Sequence, residues 1–357
     1  MPSRSKLNIL CQDHPLRERI VRLGGIALSA IFLTLVMEPR CTAVELSPDD
    51  ATDVDSRLYL DVLWEREKGQ VKDGAFYATE RSPQGEISPV WSILSVSPLN
   101  GKWNILVDSG VAPRVSPNGK ILAFQKDEAA FVCRISDPRH VTRLGDHNWG
   151  PICWSPKSNE VILGVRQAAD KGQWKLANML VSISDKASST IAPNSNFDIE
   201  DWAEPEPAWV AVTGSSMTGG HQLALIARDG MKVDLITHKG VSVHPRFSPD
   251  GESIAFIRQK AGSISARIYS RRSKAIKEIY RSSSEAIPDR ICWSPDGQQV
   301  AILVLMIPKQ LRGQVGQGLP LGKRHRKIVV LDVATKASRE VAFDGANIID
   351  IGSIDWR

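Results

Sequence analysis

Apolar and polar residues alternate in short runs along most of the chain. "ESIAFIRQ" (252–259), "KILAFQK" (120–126) and "QVAILVL" (299–305) each hold an apolar run of strand length next to polar residues. Each follows the same kind of turn: "SPNG" at 116–119, "SPDG" at 248–251 and "SPDG" at 294–297, with "SPKS" at 155–158 as a variant. Proline fixes φ at the first corner, Asp or Asn suits the second, and Gly supplies a positive φ before the next strand. A second hairpin follows each copy, as in "AFVCRIS" with "HVTRL", "ARIYSR" with "KEIYR" and "KIVVLDV" with "SREVA". One repeat therefore predicts four antiparallel strands.

The residue before each Ser-Pro pair marks the repeat: Val115, Trp154, Phe247 and Trp293. The degenerate copy "DWAEPEPAWVAV" (201–212) supplies a fifth anchor, Trp202. Successive anchors are 39, 48, 45 and 46 residues apart, a period that belongs to propeller blades. At the start of the array, "GAFYATE" (74–80), "SPVWSILSVS" (88–97) and "GKWNILV" (101–107) make a blade without a first strand. At the carboxy terminus, "NIIDIGSIDWR" (347–357) is a first strand without a blade. The two fragments predict an all-β, six-bladed propeller in which residues 347–356 complete the blade begun at 74–108. "SRLYLDVLWE" (56–65) also alternates and competes for a place in that blade. Because "SPDD" (47–50) suits a helix start, residues 44–72 are expected as a linker or short helical arm.

Charge adds a compartment. Residues 1–43 hold six Lys/Arg and three Asp/Glu, leaving 39 against 37 for the rest. A near-neutral body gives no electrostatic case for nucleic acid. Arg17, Arg19 and Arg22 precede the apolar run "LGGIALSAIFLTLVM", and Cys41 and Ala43 are small residues at a plausible cleavage site. Residues 1–43 therefore predict a signal peptide, or an uncleaved anchor that tethers the chain to a membrane through residues 20–37. Either outcome places the body outside the cytoplasm, periplasmic or secreted. Of the five cysteines, Cys133, Cys153 and Cys292 lie in the body; so few, and odd in number, they are expected as small buried hydrophobes.

"PRFSPDGESIAFIR" and "RICWSPDGQQVAIL" resemble the TolB-type, WD-like propeller repeat, and the resemblance covers residues 73–357. It implies a periplasmic platform that binds lipoprotein and membrane-bound partners. The TolB family carries an α/β domain ahead of its propeller, for which the roughly thirty residues after the signal segment leave no room. Similar repeats serve prolyl-oligopeptidase-like hydrolases, whose nucleophile elbow "TGSSMTGG" (213–220) does not match, and some polysaccharide lyases.

Candidate chemistry concentrates on the axis. The residues just before the anchors, in ring order, are Asp355, Arg114, Cys153, Asp201, Arg246 and Cys292. They predict ion pairs between Asp355 and Arg114 and between Asp201 and Arg246, either as a polar channel open to a ligand or as links holding blade register. His147 and His244 are candidates for one channel mouth, but no spacing supports a metal, and no cofactor is called for. The insertion at 306–328 ends in Lys323, Arg324, Arg326 and Lys327 and is expected as a loop that touches an anionic surface. A smaller insertion at 167–175 presents Trp174 as a contact. No nucleophile, base and orienting group come together. The expected function is a non-catalytic binding or scaffold protein for a protein or cell-envelope component, with a propeller enzyme acting at the channel mouth as the alternative.

Overall fold

The Ser-Pro turns are built from side chains as well as φ angles. Ser248 Oγ donates to Asp250 Oδ1 at 2.5 Å and accepts Ser253 N–H at 2.9 Å; Ser294 does the same with Asp296 and the N–H of Gln299. Ser116 bonds Asn118 and accepts the N–H of Ile121. Gly119, Gly251 and Gly297 close these turns at φ 72°, 72° and 68°.

The computed structural model describes residues 56–64, 90–168, 174–191, 197–213, 220–230, 232–307, 325–342 and 348–357, all within the compact unit Thr42–Arg357. These residues form six four-stranded antiparallel sheets. The first blade holds β1 (Leu58–Trp64), β2 (Val90–Val96) and β3 (Trp103–Asp108), with β24 (Ile348–Trp356) as its inner strand. The second holds β4 (Val111–Val115), β5 (Ile121–Lys126), β6 (Ala129–Arg134) and β7 (Asp137–Asp146), from the axis outward. The third holds β8 (Asn148–Trp154), β9 (Glu160–Ala168), β10 (Trp174–Ser182) and β11 (Ser188–Ile191). The fourth holds β12 (Phe197–Trp202), β13 (Trp209–Thr213), β14 (Leu223–Ile226) and β15 (Val233–Leu235). The fifth holds β16 (Val241–Phe247), β17 (Ser253–Lys260), β18 (Ser263–Ser270) and β19 (Ile276–Arg281). The sixth holds β20 (Ala286–Trp293), β21 (Gln299–Met306), β22 (His325–Asp332) and β23 (Ser338–Val341). No helix among the described residues is long and apolar enough to cross a membrane.

Each blade is apolar on both faces and buries them against its neighbours. Distinct hydrophobic clusters fill the junctions between successive blades, and one of them joins the sixth blade (Cys292, Leu303, Ile328) to the first (Leu58, Leu60, Ile354, Trp356). The inner strands touch in the cyclic order β24, β4, β8, β12, β16, β20 and back to β24. The ring is closed by the carboxy-terminal strand, as the sequence predicts.

The second strand of the first blade differs from expectation. It is β1, which pairs with β24 on one side and β2 on the other, so residues 58–64 are not part of a helical arm. The physical reason is two-sided burial. Leu58, Leu60 and Val62 are fully buried toward the sixth blade, and Tyr59 packs toward the second. "GAFYATE" and "SPDD" lie outside the described residues.

Candidate functional site

Every inner strand carries a register shift shortly before its anchor. The shifts fall between Val111 and Arg114, Asn148 and Ile152, Ile199 and Asp201, Val243 and Arg246, and Pro288 and Arg290; in the first blade β24 skips Gly352. A bulge re-aims the residues beside it. Here it turns a second layer of side chains toward the axis, above the layer next to the anchors.

In the layer next to the anchors, two aspartates reach sideways to the next blade. Asp355 Oδ2 accepts the N–H of Val115 at 2.7 Å, and Asp201 Oδ2 accepts the N–H of Phe247 at 2.8 Å. Two anchor tryptophans continue the pattern: Trp154 Nε1 donates to the carbonyl of Arg114 at 2.9 Å, and Trp293 Nε1 to that of Arg246 at 3.0 Å. The Asp-Arg-Cys order thus repeats twice around the ring as a set of blade-to-blade links.

The arginine partners are not the expected ones. Arg114 reaches past the third blade to Asp201, Nη2 to Oδ1 at 3.2 Å, with both side chains about nine-tenths buried. Burial opposes the Arg114 charge, but Asp355 and then Asp201 raise its pKa on balance. Arg246 pairs with Glu200 Oε2 at 3.1 Å. Glu200 is the residue the fourth-blade bulge displaces, while Asp201 is committed to Phe247 and Arg114. Cys153 donates to the carbonyl of Ile199 at 3.0 Å. Burial pushes the Cys153 and Cys292 thiols up, and that of Cys133 to about 12 with help from Asp137. All three are buried and free.

The bulge layer brings the expected Arg326 and His244 together with Asp350, Asp289, Arg290 and Asp61, which the sequence pattern did not single out. Arg326 sits between Asp350 (2.5 Å) and Asp289 (3.1 Å), and Arg290 bonds Asp289 at 3.2 Å and His244 Nε2. His244 therefore accepts through Nε2. Burial, then Arg290 and Arg246, hold its pKa well below the ordinary histidine value. Asp61 accepts the N–H groups of Ala112 and Ser353, and burial raises its carboxyl pKa. The available signal was the recurrence of acids in the inner strands, at Glu200, Asp289 and Asp350.

Two expectations about the 306–328 insertion change. Residues 325–328 belong to β22, where Arg326 pairs in register with Leu305 and points to the buried acids, and Lys327 bonds Glu340 at 2.7 Å. Neither is a free loop cation. Lys323 and Arg324 lie outside the described residues. Trp174 is the first residue of β10, paired with Ala168, so residues 167–168 and 174–175 continue the β9–β10 ladder, and 169–173 lie outside the described residues. His147 stands at φ 53° ahead of β8, and the described residues show no group of three or more metal-ligating side chains.

At the turn end of the channel lies a cavity of about 270 Å³. Each blade lends it a wall: Pro117, Pro156, Pro249 and Pro295 from four of the turns, Glu204 from the degenerate copy, and Arg357 after the closing strand. Asp201, Trp202 and Phe247 also line it. The Trp202 ring packs edge-on against Trp209, 6.1 Å between centroids, with Arg228 over it at 5.0 Å. Its Nε1 is buried without a hydrogen-bond partner. On the fifth blade Arg271 lies 5.6 Å over Phe247 and bonds the carbonyls of Gly251, Pro205 and Pro207, bracing the rim.

Among solved structures, TolB from Acinetobacter baumannii superposes with a TM-score of 0.61 at 13% identity, over 84% of this chain and 66% of that one. A putative TolB from Agrobacterium tumefaciens gives 0.57 at 16%, over 72% and 90%. The fold is TolB-like. The chain spans about two-thirds of the length of the Acinetobacter protein. An oligogalacturonate lyase in complex with manganese is less similar, with a TM-score of 0.49 at 9% identity, over 72% and 73%. No family model and no curated protein matches the sequence.

Proposed function

We propose that this chain is an extracytoplasmic, non-catalytic binding protein whose channel mouth receives a segment of a cell-envelope protein. The observation that carries the reading is the axial cavity. Four proline rings and Phe247 give it apolar walls. Apolar side chains of the bound segment fill the proline-lined wall. Asp201 and Arg357 at the mouth favour a segment carrying both donors and acceptors. The TolB-like fold and the basic, apolar amino-terminal segment support an envelope setting.

The test fills the cavity. Pro249 and Pro295 are exposed, so Pro249→Arg with Pro295→Arg blocks the mouth without touching the core. A photocrosslinker placed at position 117 is expected to trap one discrete envelope protein in the native chain and none in the blocked one, with unchanged melting. Equal crosslinking in both chains would refute the reading. A hydrolytic or lyase activity abolished by the same double substitution would replace it with the enzymatic alternative.

A further inference from the structure

The fifth blade carries a charge of its own. Residues 253–281 contain eight Arg/Lys and one acid, Glu278, so this stretch alone holds +7 while the whole chain holds +5. Some of these cations are engaged internally. Arg267 and Arg281 share Glu278, each with a 2.7 Å contact, and Arg271 is spent on backbone carbonyls at the rim. Lys260, Arg272, Lys274 and Lys277 remain exposed and make no ion pair with a described residue. Arg258 adds to the crowding: burial, then the Arg267 charge, lowers its pKa.

Topology sets three of these four at the outer edge. β19 is the outermost strand of its sheet, and Lys277 lies on it. Arg272 and Lys274 occupy the turn at one end, between β18 and β19, and Lys260 ends β17 beside the turn at the other. A six-residue strand extends about 20 Å. The Lys260 turn projects into open space, since a Cβ on Gly262 would meet nothing within 4 Å.

We propose that the outer edge of the fifth blade docks onto an anionic phospholipid surface. The chemistry of the edge selects that occupant. Protein interfaces are depleted in lysine at their core and rest on aromatic or apolar anchors. Among the described residues the exposed large hydrophobics are Leu99, Ile105, Val141 and Val233, none of them in the fifth blade. A lysine-rich rim without an apolar anchor gains from diffuse, closely spaced negative charge, which anionic headgroups present. This surface is independent of the channel mouth. It also takes over the role that the sequence suggested for the 306–328 loop, whose Arg326 and Lys327 are already paired.

The experiment is co-sedimentation of the full chain with vesicles of phosphatidylcholine alone and of phosphatidylcholine mixed with phosphatidylglycerol. Any contribution of the apolar run at 20–37 is common to both, so the ratio of the two partition coefficients is the readout. The native chain is expected to favour the anionic vesicles by about tenfold or more at low salt, with the preference shrinking as salt rises. The variant Lys260→Glu, Arg272→Glu, Lys274→Glu, Lys277→Glu is expected to bring the ratio to one. A control reversing the exposed Lys102, Lys157, Lys186 and Lys336 is expected to keep most of it, with both variants melting cooperatively. Equal partition of the native chain, a preference that survives in the fifth-blade variant, or an equal loss in the control overturns the proposal. So does retention on immobilised polyglutamate without any vesicle preference, which assigns the edge to an acidic protein.

Discussion

Arg114 and Asp201 meet across the channel, Nη2 to Oδ1 at 3.2 Å, although a whole blade separates the strands that carry them. Asp201 holds the N–H of Phe247 with its other oxygen, so one carboxylate ties the second, fourth and fifth blades together. Removing either partner leaves the other buried without its ion pair, with only the Asp355 charge left to act on Arg114 and the Phe247 N–H left to hold Asp201. Arg114→Met or Asp201→Ala is expected to cost about 3–5 kcal/mol in urea unfolding, with the double substitution costing clearly less than the sum. Additive losses would mean that the two side chains are not coupled.

The carboxy-terminal strand is part of the core. Trp356 is 3% exposed and packs in the cluster joining the first and sixth blades, and Arg57 and Arg357 exchange backbone hydrogen bonds beside it. Trp356→Ala is expected to destabilise by about 3–5 kcal/mol, and deletion of 348–357 to abolish the single cooperative transition. An unchanged melting curve after deletion would contradict the closure.

Gly251 has two reasons to be glycine. Its φ is +72°, and a Cβ there would lie 2.0 Å from the carbonyl oxygen of Glu204 in the neighbouring blade. Gly251→Ala is expected to lower stability by more than about 1 kcal/mol. At Gly262, with φ +77° and open space, the same substitution carries only the backbone strain and is expected to cost less. Comparison of the two denaturation midpoints separates strain from collision.

His244 makes stability depend on pH. Its folded pKa lies well below 6.5, so the unfolded chain takes up the proton first as pH falls. The stabilisation is fully present above 6.5 and declines below it, as the proton that the unfolded chain accepts is refused next to Arg290. Thermal melts from about pH 8 to about pH 5 are expected to show this loss, and His244→Gln to reduce its slope. An identical slope in the variant would exclude His244 as the titrating group.

The repeat was legible because turn chemistry is local. Ser, Pro, Asp and Gly within four residues determine a turn whatever surrounds them, and an anchor recurring every forty-odd residues determines a blade array. Strand β1 was harder to read. Its alternation is plain, but Asp61 in the middle looks like a solvent-facing residue until Ala112 and Ser353 are seen to supply its hydrogen bonds.

Local sequence alone determined the number of blades and the role of the closing strand. Tertiary structure decided the pairing among the residues beside the anchors. Ring order suggested Arg114 with Asp355 and Arg246 with Asp201. The guanidinium of Arg114 is long enough to span the narrow channel, and the bulge in β12 delivers Glu200 to Arg246 first. Reach across the axis and displacement by a bulge are properties of assembled strands, and neither is written into any four-residue turn.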